Sequence, residues 1–234
     1  FYNLLPTGTM GDLFLPTDST LAGSGMGPTN TDEPLNDSTV MDDVRNPPCS
    51  DYPKPAACSK DDRATSHLHG GNTPWISDGT PHQWITPANE DTPWPQGVSV
   101  KDVPDMIGTG RPAGVPDCEA ADDGCQTFYY TNQQSARLMF YHDHSWGITR
   151  LNVYAGEAAG YVLRDDTEQQ LINAGIIPGP AEELPLIVQD RTFVPPDPQI
   201  AAQDPTWDKA RWGGYGNLWY HHVYMPAQNP GDPG

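Results

Sequence analysis

Apolar and polar positions alternate over short runs divided by proline- and glycine-rich stretches, a pattern that predicts strands more than helices. ATSHLHG alternates well enough to be a strand that turns His67 and His69 to one side. QTFYYTN and ARLMFYHDH, rich in aromatic and apolar residues, read as antiparallel strands with 132–135 as the turn between them. AGYVLRD and LPLIVQD read as two more, the second opening a further domain. The first residues, FYNLLPTGTMGDLFLPTD, read as a strand that breaks at Pro6. Positions 23–62, polar and rich in Pro, Asp and Thr, read as a long surface excursion, and 72–110 as loop with turn signals such as SDG and TPH. The single helix expected is short, at 168–174. PPDP after Phe193 reads as a linker, and Trp207, Trp212, Tyr215, Trp219 and Tyr220 as aromatic packing at a domain junction. The fold class that follows is all-β and loop-rich, a sandwich or barrel.

Two His-x-His pairs stand out against this background: His67 and His69 in HLHGGNTPWISDG, and His142 and His144 in MFYHDHSWGITRLNVYAG. In an extended strand residues i and i+2 project from the same face, so each pair aims two imidazoles at one small volume. Two such strands side by side bring four together. Neutral imidazole suits copper, zinc, iron and nickel. The blander alternative is two unrelated surface pairs, which the apolar and aromatic setting of both makes the weaker one. Asp143, between the histidines of the second pair, must face the other way and is not a ligand. His82, in TPHQW, reads as a loop histidine, and the adjacent His221 and His222 as surface residues.

HLHGG and YHDH resemble the first two of the four copper-binding signatures of the multicopper oxidases. TPWISDGTPHQW, TNQQSARLMFYHDH and TRLNVYAGEAAGYVL narrow the resemblance to the spore-coat-laccase and phenoxazinone-synthase-like branch, and it covers roughly 4–193. The resemblance implies cupredoxin-like Greek-key β-sandwich domains, with 1–170 as the first domain and 171–234 as a linker and the beginning of a second. It implies one-electron oxidation of a substrate coupled to four-electron reduction of dioxygen to water. By position, His67 resembles the type 2 copper ligand, His69 a type 3 ligand, and His142 and His144 ligands of the two different type 3 coppers. An aspartate matching Asp78 lies near the type 2 copper in such enzymes and organises water and protons. Asp-Gly is also a strong turn pair, so a plain turn aspartate is the competing reading. Gly70 and Gly71 either leave room beside the metal or simply make a turn. The HxxHxH and HCHxxxH signatures are not among these 234 residues, so no type 1 site can be built from them. The chain therefore reads as a piece cut at both ends, and the remaining ligands would come from further domains or another chain. The reducing substrate would be a phenol, an aminophenol, a bilin or a metal ion.

Composition then sets bounds. The formal charge of −19, from 31 acidic and 12 basic residues, argues against nucleic-acid binding, where phosphate contacts need Lys and Arg. No apolar run approaches the roughly 20 residues of a membrane span. Four cysteines allow three pairings, and the spacing favours Cys49–Cys58 and Cys118–Cys125. Such local staples point to an oxidising, secreted or otherwise extracytoplasmic location. The absence of a signal peptide and of an initiator Met fits a trimmed mature protein. Two other readings compete with an oxidase: a non-catalytic copper-binding or scaffold protein that carries the His pairs, and a mononuclear zinc or copper hydrolase on a β-sandwich, which lacks a base beyond Asp78.

Overall fold

The two histidine runs fold as neighbouring strands. The computed structural model describes residues 1–15, 17, 60–92, 94–97, 99, 118 and 124–219. Their regular structure runs β1 (Ser66–His69), β2 (Arg137–Asp143), α1 (Thr149–Ala155), β3 (Ala158–Leu163), α2 (Asp166–Asn173), α3 (Asp197–Gln203) and α4 (Lys209–Trp212). The strands form one antiparallel sheet, ordered β1-β2-β3. The period of two divides it cleanly. His67, His69, Leu138, Phe140, His142, Ala158, Gly160 and Val162 share one face, because His67 pairs with His142, His69 with Phe140, and Phe140 with Gly160. The opposite face carries Leu68, Met139 and Leu163, a buried cluster against which Tyr130 and Tyr161 pack. Burial of each of these side chains contributes about 2 kcal/mol.

The chain leaves β2 through a tight turn and forms α1, where TRLNVYA places Leu151 and Tyr154 one turn apart. Both are buried with Leu15, and Leu13, Ala155 and Leu218 pack against them. Gly156, at φ +126°, ends the helix, its N–H returning to the carbonyls of Asn152 and Val153. The side chain of Asp165 caps α2 by accepting the Glu168 N–H, and its other oxygen accepts the Ala136 N–H at the entrance to β2. Near the end of the described chain, Phe193 bridges Leu218, and the Tyr154 hydroxyl donates to the Trp219 carbonyl at 2.8 Å.

Several expectations change. Among the described residues QTFYYTN forms no strand, with Thr127 in a single bridge; the Tyr129 N–H is met by Ser77 Oγ and the Thr131 hydroxyl donates to the Asn72 carbonyl. LPLIVQD is also without a ladder, and every residue of 181–190 is exposed. Ile187 instead lies over Gly160, where an added Cβ would meet it at 3.4 Å. TRLNVYAG, read as chain following the cluster without a helix, is α1. The PPDP linker is the start of α3, with Pro196 as its N-cap; proline at the first turn suits a helix because the N–H it lacks has no helical partner. The expected helix at 168–174 is α2. The opening segment carries one bridge, Tyr2 to Cys125, and a 3-10 turn at Gly8–Met10. Cys118–Cys125 is a disulfide, as the spacing suggested, while Cys49 and Cys58 lie outside the described residues. Trp207 and Trp212 pack at 5.2 Å, Tyr215 is exposed, and Tyr220 lies outside the described residues.

A charged cluster ties the opening turn to the 60–90 region. Glu90 accepts the Gly8 N–H at 2.7 Å, and Lys60 bridges Glu90 at 3.2 Å and Asp12 at 3.4 Å. Burial, with the neighbouring Glu90, pushes the Asp62 carboxyl up to about 8. Burial works against the Glu90 carboxylate too, but the Gly8 N–H, Asp62 and Lys60 outweigh it and lower its pKa. Asp62 titrates higher in the folded chain than in the unfolded one, so its contribution is complete below the unfolded value and is lost as pH rises through about 8. Burial and Asp143 push Glu157 up to about 7, which works in the same direction. The denaturation midpoint should therefore fall between about pH 5 and about pH 9, and less steeply in Asp62→Asn. An equal fall in the variant would remove Asp62 as a source.

Candidate metal centre

The antiparallel register brings the two pairs together. With His67 opposite His142, the ring centroids of those two lie 5.4 Å apart, and those of His69 and His142 lie 5.5 Å apart. One ligand atom from each of His67, His69 and His142 falls within 4.8 Å of the others, close enough to share an ion. His144 sits just past the end of β2 and stacks on His67 at 4.6 Å with 21° between the planes. His69 is exposed and its ring stacks on Phe140 at 4.6 Å; the other three are half-buried.

What aims these rings is main chain. His67 Nδ1–H donates to the Asp78 carbonyl at 2.6 Å, and His144 Nδ1–H donates to the Gly79 carbonyl at 2.8 Å. Two consecutive carbonyls of the SDG turn thus hold one histidine from each pair. His142 Nδ1–H donates to the carbonyl of Asp143 at 2.6 Å. A neutral imidazole that donates through Nδ1 carries its lone pair on Nε2, the form a metal takes. His69 differs: its Nδ1 lies 3.3 Å from His142 Nε2 and faces the common volume. Burial lowers the pKa of His142, and the three neighbouring rings add to this against the opposing bond to Asp143. The donor set fits a borderline metal such as copper: neutral nitrogens, three with fixed tautomers.

Asp78 follows a 3-10 turn, Trp75–Ser77. Its Oδ1 accepts the Thr73 hydroxyl at 2.8 Å and lies 3.7 Å from His67 Nδ1. The carboxyl is therefore beside a candidate ligand, while its carbonyl holds that ligand. Gly79, at φ +63°, has no room for a side chain, since a Cβ would run into the Ser66 carbonyl. Gly70, at φ +80°, faces open space, and a Cβ at Gly71 would press on Leu68; both fit the turn reading. The turn is held from outside by Gln134, whose Nε2 donates to the Gly70 carbonyl and whose Oε1 accepts the Asn72 N–H. His82 packs on Trp146 at 5.1 Å and takes no part in the cluster of three, and His221 and His222 lie outside the described residues.

Sequence reasoning takes Arg150 and Asn152 as anchors of the chain after the cluster, with no chemistry, and gives no role to the SDG carbonyls. Asn152 is fully buried behind the site, donating to Asp143 Oδ2 at 3.0 Å and to the Arg63 carbonyl at 3.2 Å. Asp143, 3% exposed, faces away from the histidines, as the strand period requires.

Among curated proteins, the chain is 33% identical over 127 residues to a laccase of Bacillus subtilis (strain 168), which covers 54% of this chain and 19% of that protein. It is 28% identical over 129 residues to multicopper oxidase LPR2 of Arabidopsis thaliana, 54% of this chain and 17% of the other. A 44-residue stretch, 19% of this chain, is 50% identical to 8% of the bilirubin oxidase of Albifimbria verrucaria. The matches thus span about a fifth or less of the lengths of these relatives. No protein-family model matches the chain. No helix among the described residues is long and apolar enough to cross a membrane.

Proposed function

The chain is related to the multicopper oxidases, and from that kinship we propose that it is part of a laccase-like oxidase. The oxidase couples one-electron oxidation of a substrate to four-electron reduction of dioxygen to water. Residues 1–170 form a cupredoxin-like Greek-key domain that supplies half of the trinuclear copper ligands, and 171–234 open a second such domain. His67 holds the type 2 copper, and His69, His142 and His144 hold the type 3 pair. The remaining ligands, and the type 1 site that takes electrons from the substrate, come from a further part of the polypeptide or another chain. The substrate is a phenol, an aminophenol, a bilin or a metal ion, and the protein works outside the cytoplasm. The observation that carries the reading is the convergence of His67, His69 and His142 donors within 4.8 Å.

Copper held there supplies the one-electron steps that dioxygen reduction requires. The chain's own residues do the rest. The carbonyls of Asp78, Gly79 and Asp143 each take an Nδ1–H and so aim the Nε2 atoms of three imidazoles. Reduction to water also consumes four protons, and the Asp78 carboxyl, whose Oδ1 takes the Thr73 hydroxyl and lies 3.7 Å from His67 Nδ1, relays protons toward the site.

The test is oxygen uptake by the full natural polypeptide with a methoxyphenol, before and after removal of copper by a chelator. Uptake should vanish with the metal, return on reloading, and consume four substrate electrons per dioxygen. Copper uptake without oxygen consumption would favour the non-catalytic scaffold. In the same assay Asp78→Asn should keep its copper and lose roughly 10²-fold in turnover. Unchanged turnover would take the carboxyl out of the reaction.

A further inference from the structure

Asp143 ties several parts of the fold together behind the site. Its Oδ1 accepts the Thr65 N–H at 2.9 Å, from the residue before β1, and the Ser145 hydroxyl at 2.7 Å. Its Oδ2 accepts the Ser145 N–H at 3.0 Å and Asn152 Nδ2 at 3.0 Å, from α1. Its N–H donates to the Glu157 carbonyl at the entrance to β3, and its own carbonyl accepts His142 Nδ1–H. One carboxylate therefore fixes the peptide that orients His142, the residue that follows His144, and the register of β1, which carries the other pair. Ser145 and Asn152 are fully buried, so no water is at hand to replace a lost partner.

We infer that Asp143, with Asn152 as its partner on α1, is the positioning residue of the histidine cluster, setting the direction of His142 and His144 from the far face of the sheet. The inference rests on the metal-centre reading above and extends it to residues that touch no ligand atom of the proposed ion. The consequence is that metal affinity depends on a buried hydrogen-bonded knot as well as on the histidines. A partner of this kind is commonly worth 10–100-fold in metal affinity.

The experiment measures cupric-ion affinity and the copper electron-paramagnetic-resonance spectrum of the full natural polypeptide, alone and with Asp143→Asn, Asn152→Ala and both. Asp143→Asn keeps the shape but puts a donor where an acceptor stood. It should weaken copper binding by about 10–100-fold and alter the spectrum. Asn152→Ala should act in the same direction, and the double variant should be little worse than Asp143→Asn, because the two act as a unit. Ile200→Ala, a buried position in α3, serves as a stability control and should leave affinity and spectrum unchanged. If Asp143→Asn does not fold, Asn152→Ala alone decides by the same readouts. Wild-type affinity and spectrum in folded Asp143→Asn or Asn152→Ala overturn the inference and leave the metal-centre reading standing. Failure of the wild-type protein to take up copper overturns both.

Discussion

His142→Ala in the full natural polypeptide should bring steady oxygen uptake down to the level of copper-free protein. The ring occupies the middle of the cluster: it faces His67 across the strand pair, touches His69 through Nε2, and is fixed through Nδ1. Removing it takes away a ligand that His67 and His144, tied to carbonyls, cannot move to replace. Copper content should fall with activity, and both should be measured on one sample. His82→Ala is the matched control, since that ring packs on Trp146 outside the cluster. Uptake that survived His142→Ala would sink the ligand assignment. Loss of uptake in His82→Ala would show that the assay reads general damage.

The second large effect belongs to a glycine. Gly79→Ala combines a left-handed backbone with a collision against the Ser66 carbonyl, and should destabilise the fold by about 2–4 kcal/mol. Gly70→Ala, also left-handed but facing open space, should cost about 1–2 kcal/mol. Denaturant unfolding of the two variants separates collision from backbone strain. The Gly79 variant should lose copper affinity as well, since the displaced peptide carries the acceptor for His144. Equal losses for the two variants would mean that the SDG turn yields without disturbing β1.

The part of this site legible in the sequence was the part written in side chains. Period-two spacing put His67 and His69 on one strand and His142 on its neighbour, and both strands are present with His67 opposite His142. α2 followed from local residue types in the same way. What stayed hidden was written in main chain or in long-range contact. Nothing in SDG distinguishes a turn that merely reverses direction from one whose carbonyls grip two histidines. Asn152 reads only as an anchor after the cluster, because its partners, Arg63 and Asp143, lie 89 and 9 residues away. The strand expected at QTFYYTN shows the opposite error: aromatic content favours strands only where a neighbouring strand exists to pair with. TRLNVYAG was a helix of two turns, too short for its apolar spacing to stand out, though its closing glycine marked the end.

The pairing of β1 with β2 closes a loop of 73 residues between His69 and His142. In the unfolded chain those nitrogens are far apart, and a metal ion gains little from finding one pair without the other. Occupancy of the cluster therefore acts as a gauge of that closure. Whatever free energy a metal ion released on binding these histidines would be added to the stability of the strand pair itself. The chain's tolerance of length between the two strands follows from the same arithmetic. Entropy of closure rises only slowly as a loop grows, so the polar stretch between the pairs can lengthen or shorten while the register at the metal stays fixed.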